Sequence, residues 1–513
     1  MRIVTVLALS FLMNGSALFA QADGGLSQDA GVQVPMATLA SGLAQAAPSE
    51  KIVVADTLKP QQPQKMSQVS QRNLNQDWSG RMMGLMGCLF ILLMGWAFSL
   101  NRSKIPWRLV GMGTVLQLFF AFIVLKTKAG LAFFEVANDV VRKLLSFSDE
   151  GARFIFGSLI QNNIDVGQPL FEPATMSPLQ PDGSFAAVGA MFAFGVLPTI
   201  IFFSAMTAVL YHLNILPRLV KVMAWMMQKT MRTSGAESLS ASANIFVGQT
   251  EAPLMIRPFL KEMTSSELMA VMTGGFATVA GGVMAAYVGM LSGIFPDIAG
   301  HLIAASVMSA PASLVLAKMM VPETETPATM SADDVVVEKQ DANVLAAASR
   351  GTTEGLTLAL NVGAMLVAFI AIVAMLNWML GALGALVGID GLTFQVVLGW
   401  LLGPLAWMLG VPWDDANVIG SMLGTKTVVN EFVAYMELAD GLKNGSIQHA
   451  KSVVIATYAL CGFANFSSIG IQIGGLSAIE PSRRGDLGRL GFRAMIAATL
   501  ACFQTAAIAG MLL

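Results

Sequence analysis

Long apolar stretches separated by polar loops dominate the chain after about residue 80. Eight such stretches, each long enough for a helix that crosses a bilayer, lie at about 82–100, 108–125, 186–210, 268–293, 299–320, 354–381, 452–475 and 490–512. The composition agrees, because 55% of the 513 residues are hydrophobic and 12% are charged, roughly half the charged share of a soluble protein. We therefore predict an all-α polytopic membrane protein with eight transmembrane helices.

A polar stretch at 248–253 interrupts this pattern with Gln249, Thr250 and Glu251. The helical arms on either side are much shorter than the roughly 20 apolar residues that a spanning helix needs. Thr250 is expected to cap the second arm, whose first turn tolerates Pro253. Irregular backbone at membrane depth survives only when it is buried in protein or lines a wet cavity. We predict a re-entrant helical hairpin whose tip faces a polar solute.

A second stretch, at 424–435, repeats this plan with Asn430 in a capping position and Glu431 in the first turn that follows. Each hairpin precedes an apolar segment broken by Gly and small polar residues, at 273–282 and 461–470. Interrupted segments at corresponding places in two halves point to the binding site of a transporter.

Each hairpin also follows a predicted interfacial helix, the basic amphipathic stretch 216–231 or the stretch 394–409, which Pro404 breaks. The same series of elements thus occurs twice, over about 186–320 and 354–513. We expect the two copies to form an inverted repeat, because the first hairpin enters from the inside and the second from the outside.

The remaining loops add little chemistry. Residues 133–147 can form an amphipathic surface helix, and 169–182 are expected to be a loop. The acidic stretch 321–349, which includes Glu323, is expected to be a solvated cytoplasmic loop without chemistry.

The N-terminal region differs from the rest. Residues 1–22 have the charged start, short apolar core and A-x-A exit of a secretory signal peptide, with an uncleaved anchor as the alternative. Residues 23–80 are Gln-rich and predict a flexible extracytoplasmic tail, followed by a membrane domain at 81–513. Lys and Arg concentrate in the loops that would then be cytoplasmic. These patterns predict an inner-membrane protein with both termini on the extracytoplasmic side.

Charge and motifs narrow the functional class. The net charge of −2 gives no sign of nucleic-acid binding, and the three cysteines lie in apolar runs without metal-ligand spacing. No Gly-x-Ser-x-Gly, His-Glu-x-x-His or Walker pattern occurs. An enzyme is not expected, and an intramembrane enzyme stands only as the alternative of another class.

Carboxylates inside a membrane mark functional sites by default, so Glu251 and Glu431 are the leading candidates. Each begins a half-helix, where the helix dipole favours the ionised form. The alternative is that each carboxylate only satisfies its own hairpin tip, or pairs with Arg257 or Lys426. Neutral donors and acceptors and an aromatic face are supplied by Gln249, Thr250, Asn465, Ser468 and Phe463. The set predicts a site for an uncharged solute rich in hydroxyl or amide groups, because an anion would call for Arg or Lys at the tips.

Five blocks in chain order closely resemble the concentrative nucleoside transporters, and they lie at 248–253, 275–281, 301–311, 430–435 and 462–470. The resemblance covers about residues 81–513. It implies a homotrimer in the lipid bilayer, in which a central scaffold holds three mobile transport domains. Each domain would carry a nucleoside across by an elevator-like movement.

The resemblance also implies residue roles at the nucleoside site. It assigns Gln249, Thr250 and Glu251 to the nucleobase, with Val283 lining the base. It assigns the ribose hydroxyls to a second set with an aromatic neighbour, namely Glu431, Asn465, Ser468 and Phe463. Carboxylate acceptors suit vicinal hydroxyl donors, and amides suit the edge of a base.

For the coupling ion, the resemblance places sodium between Asn244 and Thr278, with the carbonyls of Val247 and Val279 completing the shell. Both polar side chains keep an oxygen here, which favours sodium as the coupling ion. The alternative is a proton-coupled nucleoside or nucleobase symporter, in which Glu251 or Glu431 takes up the proton. A nucleobase carrier would need only the base half of the site.

Overall fold

A computed structural model describes residues 78–160, 163–165, 185–187, 192–329, 341–389 and 391–513. The predicted signal peptide, almost all of the predicted tail and the loop predicted at 169–182 lie outside the described residues.

Helices make up almost all of the described chain, as predicted. In chain order they are α1 Trp78–Ala97, α2 Trp107–Lys126, α3 Lys128–Phe156, α4 Leu197–His212, α5 Ile215–Met231, α6 Gly235–Ala243, α7 Ser265–Ala277, α8 Gly281–Leu291, α9 Ile298–Met320, α10 Val344–Val387, α11 Phe394–Met408, α12 Trp413–Val428, α13 Glu431–Lys443, α14 Ala450–Leu460, α15 Phe466–Ile479 and α16 Arg484–Leu512. A four-residue helix, Phe192–Gly195, and short 3-10 helices lie between them. One small departure from an all-α fold is the antiparallel pairing of β1 Asn163–Asp165 with β2 Phe185–Ala187.

Seven helical segments of the described part are long and apolar enough to cross a membrane, or eight if the bent pair of α11 and α12 counts as one. Seven of the eight predicted spans correspond to them. The stretch predicted at 452–475 is instead two shorter helices, α14 and α15, because the chain breaks at Gly462, whose φ of 103° favours glycine. The span predicted from 186 begins later, since 185–187 belong to β2.

The helix α10 is much longer than the predicted span at 354–381. It has 44 residues and begins at Val344, so the predicted loop at 321–349 ends earlier than expected. The cause is local, because the Asn343 side chain accepts a hydrogen bond from the backbone N–H of Ala346 at 2.9 Å and caps the helix. The predicted helices at 133–147 and 216–231 are present as α3, which is also longer, and α5.

The first predicted hairpin is built differently from the expectation. Helix α6 ends at Ala243, and the second arm is a 3-10 helix, Ala252–Phe259, with Pro253 in its first turn. Glu251, not Thr250, precedes this arm, and no side chain caps it, so the predicted role of Thr250 as the cap is wrong. In the second copy the prediction is confirmed, since Asn430 accepts from the N–H of Val433 at 2.9 Å and caps α13.

A buried polar network joins the first arm of the predicted hairpin and the start of α7 to α9. Ser234 and Thr264 begin α6 and α7 with capping boxes, and the Ser234 hydroxyl donates to Glu267 at 2.6 Å. Lys318 of α9 forms ion pairs with Glu237 at 2.7 Å and with Glu323 at 3.1 Å, and Thr264 donates to Glu323 at 2.9 Å. Glu323 is therefore a half-buried structural residue, so this part of the loop is less solvated than predicted.

The helices divide into an enclosed group and an exposed group. In the most apolar part of Ser265–Leu291 and of Ile298–Met320, 89% of the residues are buried. In the most apolar part of Val344–Leu386, only 17% are buried. The long helix α10 packs closely on α4, because Gly351 leaves room for the backbone of Ser204 at 2.7 Å from where a Cβ would lie. Helix α10 thus presents one face to the protein and most of its apolar surface outward.

Candidate solute-binding site

A cavity of about 110 Å³ lies where the two hairpin tips meet the breaks that follow them. All eight residues that the sequence proposes for the solute line it, namely Gln249, Thr250, Glu251, Val283, Glu431, Phe463, Asn465 and Ser468. One further wall is apolar and comes from α10, with Leu358, Val362, Met365 and Leu366. The structure therefore brings these residues together, whereas their binding of a solute stays a prediction.

Glu431 is a buried carboxylate held at both oxygens. The Tyr287 hydroxyl donates to Oε1 at 3.0 Å, and Nδ2 of Asn465 donates to Oε2 at 2.8 Å. Glu431 is the first residue of α13, where the helix dipole favours negative charge. A carboxylate oxygen accepts more than one hydrogen bond, so both oxygens retain capacity for donors from a solute.

Asn465 links this carboxylate to the break between α14 and α15. Its Oδ1 caps α15 by accepting from the N–H of Ser468 at 2.9 Å and from the hydroxyl of Ser467 at 2.7 Å. The amide is thereby oriented, with its oxygen on its own helix and its nitrogen toward Glu431. A Cβ on Gly462 would lie 2.7 Å from the carbonyl of Ala277, so the break packs against the end of α7.

Tyr287 is a site residue that the sequence reasoning missed. Its ring stacks on Tyr435 at 4.4 Å between centroids, and Tyr435 donates to the carbonyl of Thr457 at 2.8 Å. An aromatic residue in an apolar segment is ordinarily a packing residue, and no local spacing connects it to Glu431. The contact joins positions 144 residues apart, so only the folded chain reveals it.

Lys426 is fully buried, and its ammonium group donates to the carbonyls of Ala459 at 2.7 Å and Cys461 at 3.0 Å. These carbonyls end α14, where the helix dipole favours a cation. Lys426 thus stabilises the break, rather than pairing with Glu431 as the alternative reading supposed. Arg257 is exposed, and Glu251 instead accepts from the N–H of Gly248 at 3.2 Å.

The first tip presents its polar side chains at different depths. Thr250 is exposed to the cavity, Glu251 is half-buried and Gln249 is buried. Within the described part of the chain, Oε1 of Gln249 has no hydrogen-bond partner. A smaller cavity of about 50 Å³ lies on the other side of Glu251 and reaches Arg350 of α10.

Arg350 organises the polar start of α10. It forms ion pairs with Asp341 and Glu354, each at 2.9 Å. The hydrogen bond from Arg350 holds the pKa of the Asp341 carboxyl below its ordinary value.

The residues that the resemblance proposes for sodium lie in two facing breaks of the chain. Asn244 ends α6, and its Nδ2 donates to the carbonyl of Ser240 at 2.9 Å, whereas its buried Oδ1 has no partner among the described residues. Thr278 ends α7 and donates its hydroxyl to the carbonyl of Gly274 at 3.0 Å. The breaks meet at Phe246, whose carbonyl accepts from the N–H of Gly281 at 3.3 Å.

Val247 and Val279 occupy the same two breaks and are buried. The set offers neutral oxygens, one of which has no partner among the described residues, and neutral oxygen ligands suffice for an ion of single charge. No group of three or more His, Cys, Asp or Glu side chains arranged for a metal occurs in the described part of the chain. The residues present therefore fit a weakly held monovalent cation.

Comparison with known protein families gives three matches in chain order. The description "Na+ dependent nucleoside transporter N-terminus" matches residues 86–159, "Nucleoside recognition" matches 193–293, and "Na+ dependent nucleoside transporter C-terminus" matches 301–510.

Individual relatives agree with these families. The chain is 44% identical over 429 residues to an uncharacterised transporter of Bacillus subtilis, covering 83% of this chain and 98% of the relative. It is 41% identical over 439 residues to solute carrier family 28 member 3 of Eptatretus stoutii, and 40% identical over 438 residues to sodium/nucleoside cotransporter 2 of Rattus norvegicus. Each of these two alignments covers 83% of this chain, which spans only 60% and 62% of the two vertebrate proteins.

Solved structures of one transporter, CNTnw, share the fold. The inward-facing substrate-bound state is 40% identical with a TM-score of 0.73, over 84% of this chain and 98% of that one. An outward-facing state of a CNTnw variant is 39% identical with a TM-score of 0.73, over 85% and 98%.

Proposed function

Because the chain belongs to the concentrative, sodium-dependent nucleoside transporter family, we propose that it is a secondary active symporter that imports nucleosides with sodium as the coupling ion. The observation that carries the proposal is the single cavity lined by both hairpin tips and by Glu431, Asn465 and Ser468. The relatives with informative names are transporters, and an enzymatic function has no support from them.

The ribose half of the site is assigned to Glu431, Asn465 and Ser468. Glu431 is an acceptor fixed by two donors, and Asn465 is oriented by its role as a helix cap. An acceptor and an amide donor in fixed positions match vicinal hydroxyl groups, which both donate and accept. Phe463 packs beside the sugar.

The base half is assigned to Gln249, Thr250 and Glu251, with Val283 against the ring. These side chains line the same cavity from the opposite hairpin. Their amide, hydroxyl and carboxylate groups suit the polar edge of a nucleobase, and the apolar wall from α10 suits its faces.

Sodium is assigned to Asn244, Thr278 and the carbonyls of Val247 and Val279. Oδ1 of Asn244 has no partner in the described part of the chain, which supports this assignment, since a buried oxygen without a partner is suited to a ligand. Proton coupling through Glu251 or Glu431 is the competing hypothesis.

We further propose that 186–320 and 354–513 form an inverted repeat with two re-entrant hairpins, and that the transport domain moves past a trimeric scaffold like an elevator. The outward apolar face of α10, where Trp378 is 76% exposed, supports a role in the scaffold against lipid or neighbouring subunits. The inward-facing and outward-facing states described for CNTnw support the movement. The inner membrane, with both termini extracytoplasmic, stays the proposed location.

The direct test is uptake of labelled uridine and adenosine by purified protein in proteoliposomes with an inward sodium gradient. We expect saturable uptake that is inhibited by unlabelled nucleosides. The corresponding nucleobases, which lack ribose, should inhibit it only weakly. Competition by uracil as strong as that by uridine would replace the nucleoside assignment with a nucleobase carrier.

A further inference from the structure

A second buried amide, that of Gln472, lies near Gln249 but does not line the cavity. Gln472 is fully buried, and among the described residues neither its oxygen nor its nitrogen has a hydrogen-bond partner. Both glutamines lie beside Gly275, because a Cβ built there would clash with Nε2 of Gln472 and lie 2.9 Å from Cβ of Gln249. The absence of a side chain on Gly275 therefore leaves room for the amide of Gln472 beside the Gln249 side chain.

Gln472 lies on the face of α15 that already faces the cavity. The buried residues of this helix are Ser468, Gln472 and Leu476, which are spaced by four and so share one face. Gln472 itself is not among the residues that line the cavity, since it lies one turn beyond Ser468. The same helix packs on the first tip at Gly475, where a Cβ would lie 3.1 Å from Cγ2 of Thr250.

The unpaired atoms are complementary. Among the residues that the structure describes, Oε1 of Gln249 is a buried acceptor without a partner, and Nε2 of Gln472 is a buried donor without one. Buried polar atoms are rarely left unpaired, because each one loses its hydration without replacement. A hydrogen bond between these two atoms would satisfy both.

We propose that Gln472 is a positioning residue for base selection, which donates to Oε1 of Gln249 while a nucleoside occupies the cavity. This inference rests on the proposed function. The bond directs the NH₂ group of Gln249, rather than its carbonyl, toward the base. A donor at that place favours a base edge that presents a carbonyl oxygen, as in uridine, over one that presents an amino group, as in cytidine.

The test compares Gln472→Met and Gln472→Glu with the wild-type protein in sodium-driven proteoliposome uptake. Methionine keeps the length of the side chain but removes both amide atoms. Glutamate keeps the shape but replaces the donor with an acceptor, which pairs with the NH₂ of Gln249 and turns its carbonyl toward the base. Gly474→Ala on the same helix is the matched control, because a Cβ there meets no atom within 4 Å.

In the wild type we expect uridine to have a lower KM than cytidine. In Gln472→Met the KM for uridine rises about tenfold, the ratio between the two nucleosides approaches one and the maximal rate stays within about twofold. In Gln472→Glu the preference moves toward cytidine. The ratio between uridine and 3′-deoxyuridine, which reports the ribose half, is unchanged in both variants and in the control.

The outcomes separate this inference from the proposed function. Failure of the wild type to take up any nucleoside overturns the proposed function. If the wild type transports uridine but both Gln472 variants keep its base preference, Gln472 does not position Gln249. A lower maximal rate with unchanged KM ratios also overturns the inference, because a purely structural role predicts that result. If Gln472→Met does not assemble, Gln472→Glu alone tests the inference. A shift of its base preference toward cytidine supports the inference, and an unchanged preference overturns it.

Discussion

The hydroxyl of Tyr287 donates a hydrogen bond to Oε1 of Glu431 at 3.0 Å, across 144 residues of sequence. Together with the bond from Asn465 to Oε2, it fixes the carboxylate before a solute arrives. A binding group that is already oriented loses less conformational freedom when the solute binds. We therefore expect Tyr287 to strengthen binding of the proposed solute, although it does not line the cavity.

Tyr287→Phe removes this donor and keeps the aromatic packing on Tyr435. We expect the KM for uridine to rise at least about tenfold, since a hydrogen bond to a charged group is worth about 1.5–3 kcal/mol. Uptake kinetics in proteoliposomes measure the effect. Tyr458→Phe is the control, because the hydroxyl of Tyr458 lies against His301 at 3.4 Å and away from the cavity. Equal KM values in both variants would argue against orientation by Tyr287.

Glu431→Gln replaces an acceptor of several hydrogen bonds with a group that has one acceptor oxygen and an unwanted donor. Unmatched buried polar groups cost about 1–3 kcal/mol, so affinity for uridine falls by roughly one to two decades. Equilibrium binding and uptake check this, with membrane insertion verified for each variant. The exposed Glu325→Gln serves as the matched control. Wild-type binding of uridine by Glu431→Gln would remove this residue from the site.

A nucleoside without its 3′-hydroxyl is expected to bind at least about tenfold more weakly than uridine. A site built to hydrogen-bond a hydroxyl rejects an analogue that lacks it, because its own polar groups remain unpaired. Competition of labelled uridine by 3′-deoxyuridine measures the difference. Equal inhibition constants for the two compounds are incompatible with the roles given to Glu431, Asn465 and Ser468.

Removal of sodium is expected to abolish concentrative uptake at fixed pH. Asn244→Ala and Thr278→Ala each remove a side-chain oxygen, so the sodium concentration for half-maximal transport should rise several-fold with little change at saturating sodium. Thr273→Ala is the control, because its hydroxyl donates to Met269 one turn earlier in α7. Uptake driven by a pH gradient in sodium-free buffer, undiminished by these variants, would identify the proton as the coupling ion.

Lys426→Met is expected to destabilise the protein, because it leaves the carbonyls of Ala459 and Cys461 without their buried donor. The cost is about 1–3 kcal/mol for each unsatisfied group. Thermal unfolding in detergent measures the change, with the exposed Lys443→Met as the control. An unchanged midpoint in Lys426→Met would show that water replaces the ammonium group.

Local chemistry made several elements predictable. Asn430 as the cap of α13 follows from a short polar side chain before an acidic first turn, and the capping is a contact between near neighbours. The assignment failed at Thr250, because the backbone of the tip places Glu251 before a 3-10 helix that begins with a proline. It also failed at the start of α10, where Asn343 caps the helix earlier than apolar content alone suggests.

The cavity itself was only partly predictable. Two polar tips and two breaks identify the residues that line it, because polar groups in apolar segments need a reason to be there. Tyr287 and Lys426 escape such reasoning, since each donates to a residue or backbone group far away in sequence. Their roles depend on how the helices pack against one another. The spacing of apolar residues within one helix does not determine that packing.

The polar network at the base of the first hairpin has a mechanical consequence. Ser234 and Thr264, at the two ends of the hairpin, are tied to each other through Glu267 and to α9 through Lys318 and Glu323. The base of the predicted hairpin is therefore anchored by polar contacts at the end opposite its tip. A tilt of the hairpin about this base would displace residues 248–251 most and the base least, so the proposed solute site lies where such a movement is largest.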